Sequence, residues 1–340
     1  MQYPKFLKTG DTIGVTATSS GFTDEIDRIK LENAQKNLEA IGYHIVETEN
    51  VRTNEKLVSS SGEERAKEFY ELYSNENVNH IIAASGGEFL MEMIPYLDKY
   101  HLQEKNPKWV QGFSDTSLLL FYLTTKYDIA TVHSVNYGGY GRKEIHPAFQ
   151  KTLEMISSGE DKVQHSFEMY ESFPINWQEG KELEMPRLDT KVEYKNLYEG
   201  TVEKMQGRLI GGCIDVLKTL VGTPYDNTKK FCKKYPEGTV WYLENCEMSV
   251  CDLYRALWQM REAGWFENAR GFLIGRTMKQ DTIHGYSYQD ALHDALDSLK
   301  VPVIYDVDVG HTQLQWTMIN GSFAEFEYEN GKGKMMTRLC

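Results

Sequence analysis

Lys108-Trp109-Val110-Gln111-Gly112-Phe113-Ser114-Asp115-Thr116 is the stretch whose reading decides the fold. A short apolar run leads into glycine and then serine, and the segment from Ser117 to Tyr127 reads as a helix. This is a strand-to-helix turn with Ser114 at its apex. On such a turn the hydroxyl projects beyond the sheet edge, and the new helix aims its free N–H groups at whatever approaches. The plainer alternative makes Ser114 only the N-cap of that helix.

Outward from this turn, strands and helices alternate. Thr12–Ala17 is a buried strand ending in the polar loop Thr18-Ser19-Ser20-Gly21, and Thr23 or Asp24 can cap a helix reaching Ile41. Strands at Tyr43–Glu47 and Asn79–Ala84 bracket a helix over Glu63–Tyr73, and a helix containing Phe89, Leu90, Met93 and Ile94 is bent or ended by Pro95. Another strand follows at Ala130–His133. The alternation predicts an α/β fold with a parallel sheet covered on both faces, and ligands then sit at the carboxyl ends of the strands. Thr18–Gly21, Ser85-Gly86-Gly87 and Ser114 all fall there. None of the glycine clusters has dinucleotide or P-loop spacing, which excludes those cofactor motifs.

At 340 residues the chain suggests two domains. A formal charge of -13 argues against nucleic acid as a partner. No run approaches the roughly 20 apolar residues of a membrane span, and no signal peptide is visible at the start. Five cysteines without a C-x-x-C read as reduced thiols of a cytoplasmic protein. The pattern weakens after about Pro147. The expected division is an N-terminal α/β domain over 1–165, a linker or substrate loop over 166–200, and a C-terminal mixed α/β domain over 201–340. In that second half Thr239–Leu243 delivers Glu244 at a strand end, Ser249 can cap a helix, and Tyr288 to Leu299 reads as another helix. Val303–Asp306 leads to Asp308, Gly310 and His311, and Asn320-Gly321 signals a hairpin between strands at 316–319 and 323–328.

A serine becomes a nucleophile when a base takes its proton and a third group orients that base. The candidates are Ser114, His311 as base and Glu244 as the orienting acid. Taken singly, Glu244 could cap the helix after Ser249 or pair with a lysine, and His311 could bond a loop carbonyl. Asp306 and Asp308 make a weak metal set with one histidine, and His80 and His133 read as structural. The order Ser…Glu…His is that of α/β-hydrolases, but Thr116 stands where the hydrolase elbow prefers glycine.

Gly112-Phe113-Ser114-Asp115-Thr116-Ser117 resembles the nucleophile segment of the LD-carboxypeptidase family of serine peptidases, which includes muramoyl-tetrapeptide carboxypeptidases and microcin C immunity (MccF-like) proteins. Four further segments resemble that family in order: Ile81–Gly87 with Ile94–Asp98, Arg208–Cys213, Trp241–Asn245, and Asp306–Thr312. The resemblance implies a flavodoxin- or Rossmann-like N-terminal domain. It implies a triad of Ser114, Glu244 and His311, with backbone N–H groups of Gly87 and Asp115 as oxyanion hole. Homodimers are common in the family, and no metal or organic cofactor is implied.

Departures fall on specificity. Cys213 replaces the usual asparagine, Ser85 stands where carboxypeptidase members often carry arginine, and Val309-Gly310 precedes the histidine. Ser85, Gly86 and Trp177 are candidate substrate contacts. Ser85 and the long 170–195 segment lean towards the MccF-like branch, which acts on peptidyl or aminoacyl nucleotides. Cleavage of the L,D-bond of cytoplasmic muropeptides, as in peptidoglycan recycling, is the other substrate reading. A non-catalytic two-domain α/β binding protein and an α/β-hydrolase-type esterase are the competing classes.

Overall fold

The structure is a computed structural model describing residues 1–279 and 281–339, with the side chain of Trp177 excepted. The chain forms two compact units, Met1–Gly159 with Ile175–Met185, and Glu160–Pro174 with Pro186 to the C-terminus.

In unit 1 the chain order is β1 (Thr12–Thr16), α1 (Glu25–Ala40), β2 (His44–Glu47), α2 (Gly62–Ser74), β3 (His80–Ala83), α3 (Ile94–Leu97), β4 (Trp109–Gly112), α4 (Thr116–Tyr127), β5 (Thr131–His133) and α5 (Pro147–Met155). Helices α1 and α2 start where the sequence supplies an acceptor. Asp24 accepts from the Asp27 N–H at 2.8 Å, and Ser61 from Glu64 at 3.2 Å. Pro95 sits in the first turn of α3, after a 3-10 turn at Leu90–Met93, so it opens a helix instead of bending one. Helix α4 is buried from Thr116 through Thr125, which explains its apolar residues on every face.

The strands pair in parallel as β2-β1-β3-β4-β5. This is the flavodoxin-like order, in which the chain departs from β1 to one side and from β3 to the other. The loops after β1 and β3 therefore diverge at the carboxyl edge, next to the turn after β4. That divergence brings Thr18–Gly21, Ser85–Gly87 and Ser114 to one edge.

Unit 2 contains β6 (Lys162–His165), β7 (Met169–Tyr170), β8 (Thr190–Lys191), β9 (Lys195–Asn196), β10 (Val202–Cys213), α6 (Ile214–Leu217), α7 (Thr228–Lys234), β11 (Thr239–Glu244), α8 (Val250–Glu262), β12 (Ala269–Gly275), α9 (Tyr288–Leu296), β13 (Val303–Val307), β14 (Met318–Asn320), β15 (Phe323–Glu329) and β16 (Lys332–Arg338). Its mixed sheet runs β6-β16-β15-β10-β11-β12-β13-β9, with β10 to β13 parallel. Ser249 caps α8, and Ser287 with Asp290 forms a capping box on α9. Trp316, Tyr242, Leu273 and Phe326 belong to its buried core.

Two expectations need correction. The 166–200 stretch is not a linker: Val192 and Tyr194 are in the core of unit 2, and β7 pairs with β8. Ile175–Met185 belongs to unit 1, where Arg142 donates to the Glu184 carbonyl at 3.0 Å and to Asn176 Oδ1 at 3.2 Å. Likewise, Asn320-Gly321 does not turn β14 back onto β15, whose ladder partners are β10 and β16. The hairpin joins β15 to β16 through Asn330-Gly331, both at positive φ as a type I′ turn requires. Asn320 is buried, and its Oδ1 accepts from the Gly211 N–H at 3.0 Å and the Tyr242 hydroxyl at 2.9 Å.

Because α4 is enclosed, Leu119→Ala should cost about 2–5 kcal/mol. The exposed Met91→Ala should stay within about 0.5 kcal/mol of the parent. Urea unfolding followed by circular dichroism reads both, and equal midpoints would refute the buried-helix assignment.

Candidate active site

Strand β4 ends at Gly112, and the next residue is held at both backbone groups by one side chain. Asn136 Oδ1 accepts from the Phe113 N–H at 3.1 Å, while its Nδ2 donates to the Phe113 carbonyl at 3.5 Å. Ser114 then takes φ 60°, a left-handed conformation uncommon for a residue with a Cβ. The helix begins two residues later, with Asp115 in the N-cap position, so Ser114 is not the cap. Gly86 explains itself here: a Cβ on it would lie 3.0 Å from both Cβ and Oγ of Ser114.

The Asp115 side chain turns inward, with one carboxylate oxygen accepting from Ser19 Oγ at 2.5 Å and from the Leu90 N–H at 2.8 Å. Burial pushes its carboxyl above the usual range, against the opposing pull of those two donors and Arg65. The loops after β1 and β3 are fastened together by the Ser20 N–H to the Gly86 carbonyl at 3.1 Å and Ser85 Oγ to the Ser20 carbonyl at 2.6 Å.

In unit 2, every residue of β11 is buried and the strand delivers Glu244 at its carboxyl end, opposite Cys213 of β10. Glu244 Oε2 lies 2.9 Å from His311 Nδ1. A carboxylate acceptor makes Nδ1 the protonated nitrogen of the neutral ring and leaves Nε2 as the basic one. Gly310, at φ 109°, permits the approach, since a Cβ there would stand 2.8 Å from Glu244 Oε2. Burial works against a charged imidazole, yet the Glu244 carboxylate and Cys246 thiol outweigh it and hold His311 well above the ordinary histidine range.

Both flanks of this pair are braced. Asp215 accepts from the Cys246 and Glu247 N–H groups at 3.0 and 2.9 Å, fixing the turn after Glu244. Asp308 takes the Arg276 guanidinium at 2.5 Å, the Tyr194 hydroxyl at 2.6 Å and the Phe167 N–H at 2.8 Å. Arg276 also donates to Thr312 Oγ1 at 3.2 Å and the Leu314 carbonyl at 3.0 Å, so it spans the His311 loop. Asp306 pairs with Lys195 at 2.9 Å. Both aspartates once considered for a metal are thus engaged, and among the described residues no His/Cys/Asp/Glu cluster could hold one.

The site residues expected from the sequence therefore divide by unit. Ser85, Gly86, Gly87, Ser114 and Asp115 gather at the carboxyl edge of unit 1, and Glu244 meets His311 in unit 2. The Trp177 side chain lies outside the described residues. His80 is fully buried in β3 and pushed down to about 3, a structural group. Asn136, Asp215 and Cys246 carried no local signal. Ser19 lay in a loop expected at the ligand edge, but its partner is 96 residues away.

Glu244→Gln removes the largest upward pull on the imidazole while burial still opposes its charge, so His311 should titrate lower than in the parent. Nitrogen-15 NMR of the ring reads the shift, and a pKa unchanged from the parent would refute the coupling.

Among the described residues no helix is long and apolar enough to cross a membrane. The chain is 23% identical to the microcin C7 self-immunity protein MccF of Escherichia coli, over 95% of this chain and 92% of that protein. Two solved structures share the fold. An MccF-like protein from Bacillus anthracis has TM-score 0.83 at 21% identity, covering 99% of each chain. MccF in complex with glutamyl sulfamoyl guanosine has TM-score 0.81 at 22% identity, covering 98% of each. The LD-carboxypeptidase N-terminal domain matches residues 13–134 and the LD-carboxypeptidase C-terminal domain matches residues 206–326. The chain belongs to the LD-carboxypeptidase family and is a serine-type carboxypeptidase or amidase.

Proposed function

We propose that this enzyme hydrolyses an amide bond in a small peptide conjugate, using Ser114 as nucleophile, His311 as general base and Glu244 as the group that orients His311. The observation that carries the reading is the buried Glu244–His311 hydrogen bond of 2.9 Å. It supplies an imidazole with a fixed tautomer, which is what a serine nucleophile needs. The positive-φ turn at Ser114 supports the nucleophile's part, because it lifts a hydroxyl clear of the strand end at the start of a helix.

In this mechanism the Ser114 oxygen attacks the scissile carbonyl carbon as its proton passes to His311 Nε2. The backbone N–H groups of Gly87 and Asp115 stabilise the oxyanion. The amine leaves with the proton from His311, and water then cleaves the acyl-enzyme by the same path in reverse roles. An aminoacyl or peptidyl nucleotide is the favoured substrate class, supported by the likeness to MccF, which has been solved with glutamyl sulfamoyl guanosine. Ser85, Gly86 and Trp177 are its proposed contacts. The second reading, the L,D-bond of a muropeptide, is favoured by the family matched in both domains.

Incubation with an aminoacyl sulfamoyl adenosine and, separately, a muramoyl tetrapeptide, with products read by mass spectrometry, separates the two. Ser114→Ala and His311→Ala should each lower turnover by about 10^4-fold or more. Parent-level turnover in either variant would remove that residue from the mechanism. Since the base is the neutral ring and His311 is held high, the parent's kcat/KM should climb as pH rises through a value above about 6.5. A profile already flat from pH 6 would contradict this.

A further inference from the structure

The loop Thr18–Gly21 is absorbed by none of the roles above, yet one of its side chains lies between the two proposed oxyanion residues. Ser19 is fully buried. Its hydroxyl donates to the Asp115 carboxylate at 2.5 Å. The same Oγ stands against Gly87, where an added Cβ would come within 2.3 Å of it. The carboxylate oxygen that receives Ser19 also receives the N–H of Leu90, three residues beyond Gly87, at 2.8 Å. Arg65, itself fully buried, closes the circuit by donating to the carbonyls of Thr18 and Phe89, both at 3.1 Å.

We propose that Ser19 and the Asp115 carboxylate are positioning residues that set the separation of the Gly87 and Asp115 backbone N–H groups, and so the width of the oxyanion pocket. The inference rests on the serine-hydrolase reading. Its physical basis is that Asp115 is tied to the glycine loop in two ways. Ser19 acts as a spacer touching Gly87, and Leu90 as a direct tether of the loop that Gly87 begins. Both end on one buried oxygen, so neither donor residue can shift without stretching a charge-assisted hydrogen bond. Oxyanion donors act only if they stand where charge develops in the transition state. Displacement of about 1 Å is enough to cost about 10^2-fold in rate. Losing the spacer should therefore lower kcat and leave ground-state binding almost untouched.

The test compares parent, Ser19→Ala, Asp115→Asn, Asp115→Ala and Ser59→Ala. The Ser59 hydroxyl donates to the Ala17 carbonyl at 2.8 Å in the same neighbourhood, while its link to Ser19 is a backbone N–H to the Ser19 carbonyl at 2.9 Å that a Ser59→Ala change leaves in place. It serves as the control for a lost buried hydrogen bond. Two readouts are taken: kcat and KM on aminoacyl sulfamoyl adenosine or the muramoyl tetrapeptide, whichever the parent cleaves, and the rate of Ser114 labelling by a fluorophosphonate. In labelling, the Ser114 O–P bond forms as its hydroxyl proton passes to His311 and P–F breaks, fluoride leaves, and the phosphoryl oxygen occupies the oxyanion pocket.

Expected for Ser19→Ala is a fall in kcat and in labelling of about 10- to 100-fold, with KM within about twofold. Asp115→Asn keeps an acceptor oxygen and should recover part of what Asp115→Ala loses. Ser59→Ala should keep kcat near the parent whatever it loses in thermal stability. Parent-like kcat and labelling in Ser19→Ala, or a rise in KM alone, overturns the inference. If Ser19→Ala does not fold, the Asp115 pair decides, and equal kcat in Asn and Ala variants overturns it. A parent enzyme that cleaves neither substrate and is not labelled at Ser114 overturns the underlying reading instead.

Discussion

Ser114 holds a positive φ only because the residues on both sides of it are tied down. A non-glycine residue in that region costs about 1–3 kcal/mol. The cost is met locally. Asn136 grips both backbone groups of Phe113, and two donors converge on the Asp115 carboxylate. Each such bond contributes about 0.5–1.5 kcal/mol net, somewhat more where the acceptor is charged, so the set is sufficient to offset the strain. The buried helix α4 adds leverage, because the turn cannot relax without moving a helix enclosed over ten residues. The strain therefore stays at Ser114.

Unit 2 solves a related problem with charge. A carboxylate with no exposed surface, as Glu244 has, demands a partner that stabilises its ionised form. His311 is that partner, and the pull is mutual: the carboxylate that must be paired is what lifts the histidine above its ordinary range. The arrangement holds because the loop bearing His311 is itself anchored through Asp308 and Arg276 to Tyr194 and Phe167. Two of those anchors, Phe167 and Tyr194, come from the stretch that composition suggested was a linker. A region without periodicity is thus part of what fixes the imidazole.

What was legible in the sequence followed from local rules. The alternation of short apolar strands with helices specified the parallel sheet of unit 1, and strand ends marked Ser114 and Glu244. Cap residues such as Asp24 and Ser249 announced helix starts that the structure bears out. The misreadings came from signals that local rules treat alike. Asn-Gly occurs twice, and only tertiary burial distinguishes Asn320, whose amide serves Gly211 and Tyr242, from Asn330 in the hairpin. Strands of two residues, as in β7 to β9, have no period to detect. The Ser19–Asp115 and Asn136–Phe113 contacts join residues 96 and 23 apart, and no spacing rule connects them.

Cys213 carries this reasoning to specificity. It occupies the place where the resembled family usually has asparagine, beside Glu244 at the end of β10. An asparagine there would offer both a donor and an acceptor to a ligand. Cys213 offers neither in strength: it is buried, burial pushes its thiol well up so that it stays neutral, and its S–H points to Asp215 at 3.4 Å. Asp215 in turn spends its other contacts on the Cys246 and Glu247 N–H groups. Cys213 is thereby part of the brace behind Glu244. The Glu244–His311 pair is left intact beside it.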